Sequence, residues 1–390
     1  MFSRVDHAAF LLSLGGWGMS RSNIWTTTLL DFDLQQAKEP ILQQVVGYAS
    51  TPACLSDWFI RHWTHSGELV CDLVSGRGTT ALSAVQLGRH AIANDINPIS
   101  CILLRGRLQQ VNEADVLNLL KLAMDTPYET ADTAILEELS AYYAPGTTQL
   151  LLRLRRFFLN TEEKDRSDAW HILRFLAIER LYGPGDSFLS TSTPGTGKMN
   201  RPEQQKRRNL KRGILCLKEK NLVNILHNRY LYFRDSLQDY AHLVQCFSQD
   251  ARSVNSIPPN SVDLHFIVPP ELNTRIYVDE NWLRLWFIGM DEQDVIENME
   301  PLYNISQWQN WCMQVLQEQN RTLKQDGHAV WLMSDTAFVR KHFANFMCEQ
   351  AAEIGWSVTQ EYTCRIPVTE SSELGRQIAV RAWLFHKPGE

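Results

Sequence analysis

The sequence predicts an α/β fold in which a mostly parallel sheet is interrupted by a helical insertion. Residues 68–98 run from a short apolar stretch through a glycine turn and a helix-forming stretch to a second apolar stretch, as in a β-α-β unit. Further strand signals recur between residues 246 and 386. Leucine-rich helical periodicity dominates residues 111–158 and 168–181, which lie between these two parts.

The composition is that of a folded protein. Of 390 residues, 44% are hydrophobic and 21% are charged, which excludes intrinsic disorder and fibrous architectures. The length leaves room for two or three domains of about 100 to 200 residues each, or for one large domain with an insertion. A net charge of −6 excludes a uniformly basic nucleic-acid coat but is compatible with a local basic face.

Apolar runs and the residues that end them define the predicted elements. In chain order we predict strands over 70–74 and 91–93 around a helix over 79–87 that Gly88 ends, strands over 246–247, 262–268 and 328–333, a helix over 308–323 closed by Gly327, and a terminal hairpin over 356–366 and 379–386. This order predicts an amino-terminal extension (1–44), an α/β core divided between 45–104 and 241–390, and an inserted helical and basic subdomain (105–240).

A glycine turn between the first strand and the first helix predicts a nucleotide-like ligand. Glycines there bring backbone N–H groups close to a ligand at a helix N-terminus, where the helix dipole favours negative charge. Asp95, at the tip of the second strand, is placed for the two hydroxyls of a ribose. A glycine turn alone also serves tight packing. The candidate residues for an adenosine-containing cofactor are Asp72, Ser75, Gly76, Gly78, Thr79, Thr80, Asp95 and Asn97.

The strings at 72–80 and 95–98 resemble motif I and the following acidic strand end of the amino-directed (N4-cytosine and N6-adenine) DNA methyltransferases, usually DPFxGxGTT and D-x-N-P. The resemblance implies a class I methyltransferase sheet, which is Rossmann-like, and S-adenosylmethionine as cofactor. It places the loop of Gly76 and Gly78 near the methionine part of the cofactor and Asp95 on its ribose.

Two residues depart from the usual motif I. Leu73 and Val74 replace the proline and phenylalanine that normally follow the aspartate. Both are apolar, so the strand prediction stands, but an aromatic wall of the cofactor pocket is missing.

A double proline follows the predicted strand over 262–268. Val268, Pro269, Pro270 and Glu271 are similar to motif IV of the same family, usually [DNS]PP[YFW], which holds the catalytic groups. In that family the target base is flipped out of the duplex. The polar first residue and the next backbone carbonyl accept hydrogen bonds from the exocyclic amine, while the aromatic residue stacks on the base. Valine cannot accept a hydrogen bond, and glutamate has no aromatic face.

These substitutions leave two hypotheses. Loss of one positioned polar partner costs about 10² to 10³ in rate, and base stacking contributes about 1 to 3 kcal/mol. The chain either transfers methyl to N4 of cytosine or N6 of adenine in DNA, or it is an inactive methyltransferase-like pseudoenzyme that binds nucleic acid or a protein partner. In the first case Glu271, Asn273 or Asp279 would replace the acceptor, and Tyr277 or Trp282 would replace the stacking ring.

Two further features support a nucleic-acid enzyme. Asp250 resembles the family position that contacts the cofactor adenine, although an ordinary turn explains it equally well. Residues 198–220 hold nine Lys and Arg against two Glu, a composition that favours contact with phosphates, although a solvated helix face also explains it. The candidate DNA-binding residues are Lys206, Arg207, Arg208, Lys211 and Arg212, together with Arg275 and Tyr277 after the double proline.

No metal site or membrane segment is predicted. The eleven histidines form no HxxxH or HExxH pair, and no apolar run reaches the roughly 18 to 20 residues that cross a bilayer. The eight cysteines are never closer than 16 positions, which favours reduced thiols rather than a disulfide framework. We therefore expect a cytoplasmic protein.

Overall fold

The computed structural model describes residues 27–31, 42, 52–128, 133–191, 199–270, 278, 281–299, 302–367 and 377–389. In this part of the chain the strands are β1 (Thr27–Asp31), β2 (Leu69–Asp72), β3 (His90–Asn94), β4 (Val244–Phe247), β5 (Val262–Ile267), β6 (Leu323–Ser334), β7 (Ser357–Pro367) and β8 (Gln377–His386). They form one sheet in the order β1-β7-β8-β6-β5-β2-β3-β4. Strand β8 runs antiparallel to both of its neighbours, and the other pairings are parallel.

This strand order confirms the class I methyltransferase fold. Two parallel wings, β2-β3-β4 and β5-β6, diverge from the central β2-β5 pair, so the topology reverses at β2. Strands β7 and β8 pair antiparallel, as the predicted terminal hairpin requires, and β8 also pairs with β6. Open parallel sheets bind ligands at the carboxyl ends of their strands, where the strand order reverses. A ligand site is therefore expected at the loops that follow β2, β3 and β5.

Helices cover both faces of the sheet. They are α1 (Ala53–Trp63), α2 (Thr79–Gln86), α3 (Pro98–Arg105), α4 (Glu113–Asp125), α5 (Thr133–Leu139), α6 (Pro145–Asn160), α7 (Asp168–Arg180), α8 (Pro202–Lys211), α9 (Leu222–Arg234), α10 (Trp282–Phe287), α11 (Glu292–Asn298), α12 (Ile305–Thr322), α13 (Ala337–His342) and α14 (Ala344–Glu353). A parallel sheet needs such covering because both of its faces are apolar.

Helices α4 to α9, which lie between β3 and β4, share one hydrophobic core with the sheet. Val70 and Phe266 of the sheet belong to the same buried cluster as Leu151 of α6 and Trp170 of α7. A second cluster, which includes Trp308, lies on the opposite face of the sheet. The inserted helices therefore extend the core of the α/β domain.

The insertion is also fastened to the segment that follows the double proline. Arg155 of α6 donates to the Trp286 carbonyl at 2.8 Å and lies 4.7 Å from that ring. Phe158 packs edge-on against Phe287, with ring centroids 5.9 Å apart. Tyr142 lies 5.8 Å from Trp282. These contacts fix helix α10, which connects the double-proline corner to the rest of the core.

One predicted helix end was wrong. Helix α12 ends at Thr322, and β6 begins at the next residue, so Gly327 lies inside a strand rather than closing a helix. The register with β5 shifts there, since Val262 pairs with Leu323 and Leu264 pairs with His328. Asp326, which lies in the part of β6 where the register shifts, has a positive φ of +60°. A glycine inside a strand pattern often marks such an irregularity.

The amino-terminal extension contributes to the sheet. Strand β1 lies within it and pairs in parallel with β7 at the edge. Across the described ranges, no helix is both long and apolar enough to cross a membrane.

Candidate cofactor and substrate site

The predicted motifs meet at one edge of the sheet. Strand β2 pairs in parallel with β5 through Val70 and Leu264, and with β3 through Asp72 and Ala93. Parallel neighbours end on the same side, so the glycine turn, the Asp95 loop and the double-proline corner follow three adjacent strands. The corner therefore lies beside the glycine turn, as a site that joins cofactor to substrate requires.

The two glycines of the turn have different surroundings. Both have positive φ, +52° at Gly76 and +78° at Gly78, which other residues rarely adopt. A Cβ at Gly78 would lie 2.8 Å from the Leu104 side chain, so this glycine lets α2 begin close against α3. A Cβ at Gly76 would meet no atom within 4 Å. Gly76 thus borders open space, unlike Gly78.

Asp95 closes the turn from the neighbouring strand. Its carboxylate accepts hydrogen bonds from the Gly76 N–H at 2.7 Å and the Asn97 N–H at 2.9 Å. Burial raises the pKa of Asp95, and these hydrogen bonds oppose that effect. The Ser100 side chain also hydrogen-bonds to this carboxylate and opposes the effect of burial. Asn97 caps α3, since its side chain accepts from the Ile99 N–H at 2.9 Å.

Asp72 is the most strongly perturbed carboxyl at this edge. It is 4% exposed and accepts from the Thr80 hydroxyl at 2.7 Å and the Val74 N–H at 3.1 Å. Burial raises its pKa to about 7 against an ordinary 3.8, although both hydrogen bonds lower it. The carboxyl therefore titrates near neutral pH. Ser75 and Thr79 flank the two glycines and are half-buried.

Asn94 joins the three loops of the cofactor side and was not predicted. The side chain is fully buried and donates to the Leu73 carbonyl at 3.0 Å and the Gln249 carbonyl at 2.9 Å. It also accepts from the Gln249 N–H at 3.0 Å, and its backbone carbonyl accepts from the Ser75 N–H at 2.8 Å. A polar residue that ends an apolar strand was the available signal, but its partners are distant in sequence.

Arg107 hydrogen-bonds to the glycine turn, a role that was also not predicted from the sequence. Its guanidinium donates to the Arg77 carbonyl in the middle of the turn. The side chain is 1% exposed, and burial lowers its pKa to about 9. The Phe175 ring of α7 lies 5.7 Å from it. The insertion thereby contacts the residue that fixes the glycine turn.

Asp250 lies in the loop after β4, beside Asn94's partner Gln249. Its carboxylate accepts from the Arg252 side chain at 2.6 Å and from the Arg252 N–H at 2.9 Å. Burial alone would raise its pKa, but the hydrogen bonds from Arg252 outweigh burial and lower it. The residue is therefore ionised, with a role in the turn that does not depend on a ligand.

The double-proline corner is packed into the protein. Val268 is half-buried against the main hydrophobic cluster, and Pro269 is buried. The Pro270 carbonyl accepts from the indole N–H of Trp308 at 2.9 Å, and Trp308 is 1% exposed. Valine at the acceptor position thus serves packing, and an indole holds the backbone of the corner.

Several candidates after the corner lie outside the described residues, namely Glu271, Asn273, Arg275, Tyr277 and Asp279. Trp282 is described and 3% exposed. Since its ring is enclosed in the core, it offers no stacking face for a base.

The basic candidates divide into two groups. Lys206 pairs with Glu137 at 3.2 Å and with Glu203 at 3.3 Å, and the Arg208 Nε atom is buried. By contrast, the side chains that reach solvent are Arg207, Lys211 and Arg212. Contact with phosphates is therefore best supported at the latter three.

Within the described ranges, no group of three or more His, Cys, Asp and Glu is arranged to hold a metal ion. All eight cysteines are free thiols, as their spacing predicted.

Comparison with known proteins found a family match in the amino-terminal part of the chain. The model of the DNA methylase family matches residues 17–103. This span contains the glycine turn and Asp95, and it confirms the family resemblance for that part of the chain. It ends before the double-proline corner.

A curated relative matches a short segment. The type II methyltransferase M.MjaII of Methanocaldococcus jannaschii is 27% identical over 78 residues, which cover 20% of this chain and 14% of that protein.

Solved structures align over most of the chain with low identity. A methyltransferase from Pyrococcus furiosus aligns over 87% of this chain and 84% of its own, with 10% identity and a TM-score of 0.32. An rRNA methylase from Streptococcus thermophilus aligns over 88% and 99%, with 6% identity and a TM-score of 0.30. The fold assignment rests on the strand order described above.

Replacement of Asn94 by alanine should weaken both the fold and the cofactor site. The change leaves backbone groups of Leu73 and Gln249 without partners, so we expect the free energy of unfolding to fall by about 2 to 4 kcal/mol. Urea denaturation measures this loss. The control Asn118→Ala, on the exposed face of α4, should change stability by no more than about 0.5 kcal/mol. Equal effects of both changes would contradict the role of Asn94.

The pKa of Asp72 predicts a pH dependence of stability. The folded carboxyl holds its proton up to about pH 7, whereas an ordinary carboxyl loses it near 3.8, so the unfolded chain binds fewer protons in this window. The contribution of Asp72 is therefore fully present below about pH 4 and is lost as pH rises to about 7. Urea denaturation across this range should show a smaller decline for Asp72→Asn than for the wild type. The exposed control Asp239→Asn should keep the wild-type slope, and an unchanged slope in Asp72→Asn would exclude this source.

Proposed function

We propose that the chain binds S-adenosylmethionine at the glycine turn and acts on DNA, where it transfers methyl to an exocyclic amine of cytosine or adenine. The observation that carries the proposal is the open space at Gly76 with Asp95 beside it, next to the double-proline corner. The match of residues 17–103 to the DNA methylase family supports it.

The residues at the turn fit an adenosine-containing cofactor. Gly76 leaves room for a ligand against the backbone, and the Asp95 carboxylate beside it is a hydrogen-bond acceptor for a ribose hydroxyl. Ser75, Thr79 and Thr80 surround the turn, and Asp250 follows β4 on the side expected for the adenine. When bound, this cofactor supplies an electrophilic methyl group. The chain's own residues orient it and, at the corner, receive the base.

A second candidate function is a binding module that has lost the transfer step. The half-buried Val268 favours it, because its side chain offers no hydrogen-bond acceptor at that position. In this reading the cofactor pocket persists, and the protein binds nucleic acid or a protein partner without methylating.

Calorimetric titration with S-adenosylmethionine, combined with transfer of labelled methyl to mixed-sequence DNA, tests both candidates. We expect binding, and in Asp95→Ala an affinity at least about tenfold lower, because the bonds to the ribose hydroxyls are lost. The exposed control Asp239→Ala should bind as the wild type does. Binding without transfer would support the second candidate, and absence of binding would refute the proposed site.

The double change Val268→Ser with Glu271→Tyr tests the corner. If the corner is a degenerate methylation site, restoring the acceptor and the ring should raise the transfer rate by about 10- to 100-fold. Calorimetry should show an unchanged cofactor affinity, since the glycine turn is not altered. An unchanged rate in a variant that still binds cofactor would count against amine methylation at this corner.

A further inference from the structure

Two leucine side chains project into solvent at the basic end of helix α8. Leu210 is 68% exposed and Leu215 is 89% exposed, the highest value among the large apolar side chains that the structure describes. Single exposed leucines are common. Two exposed leucines this close in sequence, each with basic neighbours, are typical of a surface that binds a partner.

The turn that carries these leucines is well ordered by backbone hydrogen bonds. The Ile214 N–H donates to the Asn209 carbonyl and the Gly213 N–H donates to the Leu210 carbonyl, each at 3.0 Å. Gly213 has φ +69°, the left-handed conformation that ends helices in this way. Leu215 is thus held in a fixed position beyond the helix.

The opposite side of α8 is anchored by buried amides. Gln205 is fully buried and donates to the Asn209 side chain at 2.8 Å, and Asn209 donates to the Ala141 carbonyl at 2.9 Å. After the turn, Glu219 accepts from the N–H groups of Gly146 and Thr147 at the start of α6. Both ends of the projecting turn are therefore fixed to the domain.

Positive charge surrounds the two leucines. Arg207 and Lys211 lie one helical turn apart on the exposed side of α8, and Arg212 follows them. Lys218, on the returning segment, is 72% exposed but lies 3.7 Å from the Asp186 carboxylate, so Arg207, Lys211 and Arg212 carry the positive surface. This charge complements a polyanion.

Helix α8 is joined at its start to a helix that follows the double-proline corner. Arg201, at its start, pairs with Glu292 of α11 at 2.6 Å. Helix α11 follows α10, which leads away from the double-proline corner. The start of α8 is therefore linked to the segment that follows the double-proline corner.

We propose that Leu210 and Leu215 form an apolar wedge that enters duplex DNA while Arg207 and Lys211 contact the phosphates. This inference rests on the proposed action on DNA. Apolar side chains placed between base steps unstack and kink a duplex. Local unstacking lowers the cost of extruding a nearby base, which an enzyme acting on a base amine requires.

Fluorescence anisotropy with a duplex that contains 2-aminopurine tests the wedge at several salt concentrations. We expect Leu215→Ala to weaken binding about tenfold and to abolish the rise in 2-aminopurine fluorescence, without changing the salt dependence. Lys211→Ala should instead reduce the slope of log affinity against log salt by about 0.9. The control Leu122→Ala, at a leucine 58% exposed on α4, should behave as the wild type does.

The outcomes separate this inference from the proposed function. If the wild type binds the duplex and Leu215→Ala binds equally well, the wedge is wrong and the action on DNA stands. If the wild type does not bind duplex DNA, both fail. A leucine-dependent self-association in sedimentation, or an equal leucine-dependent affinity for phosphatidylserine vesicles, would also overturn the wedge.

Discussion

The hydrogen bonds of the Asn94 amide hold the proposed cofactor site together. One buried side chain joins the end of β3 to the loops after β2 and β4, and its own backbone receives the Ser75 N–H. Backbone groups that leave a sheet need new partners when they are buried. Asn94 provides them within the protein, so the glycine turn and the Asp250 loop keep their positions without a ligand. Asp95 is the next residue, so these hydrogen bonds also fix its position beside the turn.

The inserted helices are part of this support. Arg107, just after α3, holds the glycine turn through the Arg77 carbonyl and lies beneath the ring of Phe175. The neighbouring Gly106 fits so closely that a Cβ there would lie 2.1 Å from the Phe175 Cβ. Helix α6 holds the other motif through Trp286. Helix α7 thus contacts the residue that holds the glycine turn, and α6 contacts α10, so removal of the inserted helices would disturb the site as well as the core.

The glycine turn and the double-proline corner differ in how closely they match the family motifs. At the glycine turn, a Cβ on Gly76 would meet no atom within 4 Å, and Asp95 accepts from the Gly76 N–H. At the corner, the half-buried Val268 stands where the motif usually has a polar acceptor. A pocket depends on local backbone shape, whereas amine methylation requires particular acceptor atoms. Ligand binding at the turn and methyl transfer at the corner therefore need separate measurements.

The sequence by itself determined the β-α-β unit, the terminal hairpin and the position of the glycine turn, because alternation, apolar runs and glycine positions are local signals. The helix predicted over 79–87 differs from α2 by one residue. Only the tertiary structure decided the role of Asn94, whose partner Gln249 is 155 residues away, and the bond from Trp308 to Pro270, 38 residues apart. The tertiary structure also pairs Lys206 with Glu137, so this lysine does not belong to the exposed basic residues of α8. A periodic pattern records which face of an element is buried, whereas a hydrogen bond between distant residues exists only after packing has brought them together.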